Sequence, residues 1–212
     1  MRARLEALLS LLRDAFVTSD GRLRRRLTAA GAGRGKDDDA DETLGHAVET
    51  AYLLVDAAAA LGRPDDPQTW AVAQRMAEHV LAHGRDREHG GTFDDPARDH
   101  GAKIWWVQAE ALNTWAVMHA HAVAVAVATA APSPAGCADV SSMETRWYDA
   151  FADQWRFIRD HVIDRRHGGW FTTTTRRGRV IGETDKAGAW KDPYHTARAL
   201  MNAIRVMRGC HR

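Results

Sequence analysis

The chain has 212 residues, 45% of them hydrophobic, and a formal net charge of +1. That leaves room for one large or two small domains with a real core, and gives no electrostatic case for a nucleic acid or an anionic membrane as partner. Cys137 and Cys210 lack metal-ligand spacing and fit a reducing compartment, and the charged N-terminus lacks the apolar stretch of a signal peptide, so a cytoplasmic protein is expected.

The periodicity predicts an all-α chain of six helices with no convincing strand. The first runs from Arg4 to Phe16, with Leu5, Leu8, Leu9 and Leu12 at helical spacing. Arg22 to Arg26 is a basic run, read as a solvated helix end. Gly31 to Asp41 reads as a loop. The second helix spans Thr43 to Leu61 and is stopped by Gly62 and Pro64. The third follows the cap Asp66-Pro67 and runs to His83. The fourth spans Ile104 to Ala128. Within it Ala120 to Ala131 is apolar for only about a dozen residues, too few to span a bilayer. Pro132-Ser133-Pro134-Ala135-Gly136 marks a loop or insertion around 124–141. The fifth helix spans Ser142 to Val162, with Trp147, Phe151, Trp155 and Ile158 on one face. Thr172 to Ile181 reads as a small hairpin. The sixth helix runs from Tyr194 to Met207.

One phrase occurs twice. Asp86-Arg87-Glu88-His89-Gly90-Gly91-Thr92-Phe93 returns as Asp164-Arg165-Arg166-His167-Gly168-Gly169-Trp170-Phe171, and each copy is followed by a lysine and tryptophan, Lys103 with Trp105 and Trp106, then Lys186 with Trp190. Such self-similarity marks a repeated unit of helix, Gly-Gly loop and helix, stacked as an α-toroid or α-solenoid. Residues at the same point of each unit then gather at one end of the assembly.

Three segments occupy that point. Gly45-His46-Ala47-Val48-Glu49 puts His46 and Glu49 on one helix face, where a carboxylate could orient an imidazole for proton transfer. A helix-start histidine with a capping glutamate fits the same spacing. Lys103-Ile104-Trp105-Trp106-Val107-Gln108-Ala109-Glu110 combines indole faces with Gln108 and Glu110, a mixture that suits sugar binding. Adjacent tryptophans point about 100° apart, so both cannot easily face one core. Trp190-Lys191-Asp192-Pro193-Tyr194-His195-Thr196-Ala197-Arg198 opens the last helix, with His195 and Arg198 sharing a face. His119, His121 and His161 lie inside helices, and His89 and His167 belong to the Gly-Gly loops. No zinc or phosphate-loop motif occurs, so neither a metal nor another cofactor is expected.

Taken together, Gly-His-x-x-Glu, Lys-x-Trp-Trp-x-Gln-Ala-Glu-Ala, the Gly-Gly-x-Phe loops and the run Asp185 to Arg198 resemble the N-acylglucosamine 2-epimerase family, which also contains cellobiose 2-epimerases and mannose isomerases. The resemblance runs from Leu5 to Met207. It implies an (α/α)6 barrel of which residues 1–212 form about half, as one partial domain of three helical hairpins. It implies that His46 and His195 are paired catalytic histidines with Glu49 as acidic partner. Trp105, Trp106, Gln108, Glu110, Trp190 and Arg198 would bind a mono- or disaccharide.

The family has twelve helices and the sequence shows six, so the chain is expected to be truncated or half of a split enzyme, or else to complete itself as a homo-oligomer. Leu5, Leu8, Leu9, Leu12, Leu200, Ile204 and Met207 would then line the flanks left bare. Two other readings remain open. One is an inactive half-barrel that binds carbohydrate or a partner chain. The other is an (α/α) glycoside hydrolase, which would need two carboxylates placed across a glycosidic bond.

Overall fold

The computed structural model describes residues 1–28, 43–95, 101–129, 142–182 and 185–209. Among these residues there are six α-helices, α1 (Arg2–Leu11), α2 (Leu44–Ala60), α3 (Pro67–His83), α4 (Trp105–Thr129), α5 (Ser142–Phe157) and α6 (Pro193–Gly209). The Gly31–Asp41 loop, the Pro-rich segment after Thr129 and both cysteines lie outside the described residues.

Local sequence sets the helix ends. Asp66 caps α3 by accepting from Thr69 N at 3.1 Å, with Pro67 in the first turn. At the end of α2, Gly62 takes φ +80 and bonds Ala59 O while Arg63 N bonds Ala58 O, a Schellman closure. The expected first and fifth helices both change geometry in their last turn. Leu12–Phe16 and Ile158–Val162 are π-helical, and Val17 and Ile163 then leave as extended chain.

The helices form two layers. α4 packs against both α2 and α6 in one layer, with α1 and α3 on α2 and α5 on α4 in the other. His46, Trp106 and His195 touch at the starts of α2, α4 and α6, and Asn202 Nδ2 donates to Asn113 Oδ1 at 2.6 Å further along. The three helices therefore run in the same direction.

Of 25 residues in α4, the first half is almost wholly buried, polar Gln108, Glu110, Asn113 and Thr114 included. The helix is long and apolar enough to cross a membrane by length and composition, longer than the Ala120–Ala131 stretch considered from sequence, but here it is the centre of the protein core. Trp115 stacks on Trp147 of α5 at 5.7 Å. Trp147 and Ile158 are fully buried on the apolar face expected for the fifth helix, with Phe151 and Trp155 at its margin.

Among the described residues strand is confined to two residues on each side, β1 (Lys103–Ile104) antiparallel to β2 (Thr173–Thr174), pairing Lys103 with Thr174. The Thr172–Ile181 hairpin forms through Thr174 and Val180, and β2 also bonds β1, a pairing the sequence did not announce.

The repeated phrase is a repeated loop. Asp86 Oδ1 accepts from Glu88 N and His89 N, and Asp164 Oδ1 accepts from Arg166 N and His167 N. Bridges Arg85–Thr92 and Ile163–Trp170 close the two copies. Gly91 shows why glycine is needed: its φ is +76, and a Cβ there would lie 2.7 Å from Phe157 and 2.9 Å from Gln108 Oε1. A third copy, unrecognised from sequence, follows α1. Val17 bridges Leu23, Gly21 takes φ +88, and Arg24 N bonds Phe16 O as Phe93 N bonds Gly84 O and Phe171 N bonds Val162 O. Thr18 stands in the place of the aspartate, accepting from Arg22 N at 2.9 Å, and the acid of this copy is Asp20, two residues later, which pairs with Arg22.

The expected flank residues divide. Leu9 is 2% exposed within the core, and Leu5 and Leu12 pack on it, because this face of α1 meets α2. Leu200 packs against the second core cluster. Leu8 and Ile204 remain exposed, joined by Leu11 and by Met201 at 67% exposure.

Candidate active site

The starts of α2, α4 and α6 bring one cluster together. The Trp106 indole lies 5.0 Å from the His46 ring and 5.5 Å from the His195 ring. Gly45 makes this approach possible, since a Cβ there would sit 2.5 Å from Trp106 Cη2.

One turn deeper lies Glu110, whose side chain has no solvent exposure. Its Oε1 is 2.5 Å from His195 Nδ1 and accepts from Arg198 at 2.7 Å, and its Oε2 accepts from Tyr52 Oη at 2.8 Å. Both oxygens of the buried carboxylate are thus bonded, as burial of its charge requires. Arg198 also donates to Glu49 at 2.9 Å and to Tyr194 Oη, and its guanidinium lies 4.0 Å from the Tyr194 ring.

Burial and the adjacent Glu110 charge push the Tyr52 hydroxyl well above the phenol range, so it is a proton donor to Glu110. Burial pushes the Arg198 guanidinium down, but its bonds to Glu49 and Glu110 outweigh this and raise it. Oxygens of Glu49 and Glu110 and a nitrogen of His195 lie within 4.8 Å of one another, a donor set with metal-ligand chemistry. Arg198 already bridges the two carboxylates and supplies the positive charge there.

The structure therefore brings together His46, Glu49, Trp106, Glu110, His195 and Arg198, with two changes of partnership. Glu49 pairs with Arg198, while His46 Nδ1 lies 2.5 Å from Thr43 Oγ1. The carboxylate that orients an imidazole is Glu110, on His195, because the α4–α6 contact places them face to face.

Three expected sugar-binding residues stand elsewhere. Gln108 is buried and binds both sides of the Thr92 peptide, accepting from its N at 2.9 Å and donating to its O at 2.7 Å. It anchors the first Gly-Gly loop. Trp105 is 8% exposed, packed among Phe157, Trp170 and Ala199. Trp190 is 91% exposed on a groove of about 460 Å³ lined by Trp105, Thr172, Ile181 and Lys191. His119, His121 and His161 lie instead against Tyr148, Trp70 and Phe157.

Sequence reasoning missed Tyr52, Tyr194 and Thr43. Tyr52 was within reach, since it lies one turn beyond Glu49 on the face that begins at His46.

Comparison with known proteins gives the family. The family model for N-acylglucosamine 2-epimerase (GlcNAc 2-epimerase) matches residues 42–199. The chain is 26% identical to a cellobiose 2-epimerase of Bacteroides fragilis over 170 residues, spanning 76% of this chain and 37% of that protein. It is 24% identical to a cellobiose 2-epimerase of Dictyoglomus turgidum over 167 residues, 77% of this chain and 37% of that one. Among solved structures, a sugar epimerase from a ruminal bacterium superposes with TM-score 0.73 at 22% identity, over 98% of this chain and 47% of that chain. Cellobiose 2-epimerase from Spirochaeta thermophila gives 0.71 at 24% identity, over 100% and 47%. A D-mannose isomerase gives 0.69 at 19% identity, over 96% and 50%. The chain spans about half the length of these structures, and its six helices correspond to about half of their (α/α)6 barrel. With its family match covering most of the sequence and its inner helices opening on His46, Trp106 and His195, the chain belongs to the N-acylglucosamine 2-epimerase family.

Proposed function

We propose that this chain carries the two-histidine half of a sugar 2-epimerase or aldose–ketose isomerase acting on the open-chain form of a reducing mono- or disaccharide. The observation that carries this is the pair of imidazoles against Trp106, one of them held by buried Glu110. In the reaction, one histidine removes the C2 proton next to the C1 carbonyl. The electron pair moves into a C1–C2 double bond and the carbonyl pair onto O1, giving an enediolate on the way to the ene-diol. The other histidine returns a proton to the opposite face of C2, which inverts it. Return to C1 instead, with the O2 proton passing to O1, gives the ketose. Histidine can give and take protons near neutral pH, and needs no cofactor to do so. Trp106 offers an apolar face to the sugar, and Trp190 is the exposed indole available to a second sugar unit. Arg198 acts here as the bracket between Glu49 and Glu110 rather than as a free sugar ligand.

A developing enediolate needs donors aimed at its oxygen. In this reading some come from a second six-helix body, a separate half or another copy, that closes the ring. The exposed Trp190 indole would serve equally a second reading, a half-barrel that binds carbohydrate without turning it over.

The test is incorporation of solvent deuterium at C2 of mannose, glucose or cellobiose, followed by NMR. Slow exchange that disappears in His195→Asn supports the enzyme reading. Sugar-dependent tryptophan fluorescence without exchange moves the conclusion to the binding half-barrel. Neither signal overturns both.

A further inference from the structure

The start of α2 is capped in an unusual way. Thr43 stands at the N-cap, where a threonine hydroxyl normally accepts from a backbone N–H of the first turn. It makes no such bond. Its Oγ1 lies instead 2.5 Å from His46 Nδ1. Two of the open amides of α2 are taken by Asp94, which follows the first Gly-Gly loop. Its Oδ1 accepts from Gly45 N at 2.9 Å, and its carbonyl accepts from Leu44 N at 2.9 Å. The absent side chain of Gly45 leaves space for this, since a Cβ would lie 2.8 Å from Asp94 Oδ1.

We propose that Thr43 is a positioning residue for His46: Asp94 caps α2 in its place, and the released hydroxyl holds the imidazole by Nδ1, leaving Nε2 as the nitrogen offered to a ligand. The arrangement parallels His195, whose Nδ1 is held by Glu110. The two holders differ in kind. A carboxylate only accepts, whereas a hydroxyl donates or accepts and adds no charge. The Nδ1–Oγ1 bond holds the ring in place without an ionic partner, and whether Oγ1 donates or accepts in it sets which tautomer His46 keeps. The consequence for catalysis rests on the two-histidine reading, but the positioning itself does not.

The experiment is long-range 1H–15N NMR of the histidine rings in the labelled chain, comparing wild type with Thr43→Val, Thr43→Ser and Asp94→Ala. Wild-type His46 should show the separated nitrogen shifts of one tautomer. In Thr43→Val those shifts should collapse toward the average of two exchanging tautomers, and Thr43→Ser should restore them. His195 should stay unchanged throughout. The Thr43→Val melting temperature should move little, because the side chain it removes does not cap the helix. Asp94→Ala should reproduce the His46 change, as Thr43 returns to its capping role, and this keeps the test decisive if Thr43→Val folds poorly. A His46 pattern identical in wild type, Thr43→Val and Asp94→Ala overturns the inference and leaves the two-histidine reading standing. Absence of C2 exchange overturns that reading and leaves the tautomer result intact.

Discussion

Glu110 on α4 reaches His195 on α6 from a fully buried position, Oε1 to Nδ1 at 2.5 Å. An ionised carboxylate only accepts, so the ring proton is held on Nδ1 and Nε2 is left for the substrate. Glu110→Gln keeps the volume but can present either an oxygen or an N–H to the ring. We expect C2 exchange to fall by about 10²-fold or more, the range associated with a positioned acid or base. A rate within about threefold of wild type, measured in the same NMR assay, would remove Glu110 from the mechanism.

Arg198 is the counter-charge of this cluster, binding Glu49 and Glu110 from one side of its guanidinium while Tyr194 lies against its plane. Arg198→Leu leaves a buried carboxylate without its cation, and urea unfolding at pH 7 should show a loss of about 3–5 kcal/mol. Arg198→Lys should recover only part of this, since an ammonium cannot stack on Tyr194 and bridge both carboxylates with the same geometry. Full recovery by lysine would show that charge alone matters.

Gly45 tests the packing of the site. Gly45→Ala places a methyl 2.5 Å from Trp106 Cη2 and 2.8 Å from Asp94 Oδ1, so something must move. Overpacking of this kind costs about 1–3 kcal/mol, against a gain of up to about 1 kcal/mol from helix propensity. The expected result is lower stability together with a shifted tryptophan emission. A more stable variant with unchanged emission would contradict the contact.

Much of this could be read from the sequence, where chemistry and period coincide. His46, Trp106, Glu110, His195 and Arg198 open helices at the same point of a repeat, and the fold brings them together there. What failed was partnership. The spacing of His46 and Glu49 along one helix is visible, but the contact that decides their roles comes from α6, far along the chain. Gln108 and Trp105 looked like sugar ligands by composition, yet helical rotation turns both inward, where Gln108 holds Thr92. The third loop was hidden because Thr18 does the work of Asp86 and Asp164 with a different side chain.

The repeated lysines are the final test of the repeat. Lys103 is fully buried and donates to Asp86 Oδ2 at 3.0 Å, to Gly90 O at 2.5 Å and to Arg176 O at 2.8 Å. Lys186 makes the corresponding bond to Asp164 at 2.7 Å with its side chain 30% exposed. Burial alone would raise Asp86, but Arg176 and Lys103 hold it well below the usual carboxylate range. The bond from Lys186 lowers Asp164 in the same direction. A carboxylate lowered in the folded state contributes stability that is fully present above its unfolded value of about 3.9. That contribution is lost as pH falls through the folded value. Lys103→Met should therefore cost about 3–5 kcal/mol at pH 7, where it leaves Asp86 charged and buried with only Arg176 as cation. The cost should shrink below about pH 4, because Asp86 of the variant can then take up a proton. Lys186→Met should cost less at every pH, since water can reach Asp164 in its place. Urea titrations of the three proteins across this range decide the matter. A Lys103→Met cost that stays constant from pH 7 into the acid limb would mean that the lysine acts not through the Asp86 charge but through contacts that do not titrate there, such as its ammonium over the Phe157 and Phe93 rings.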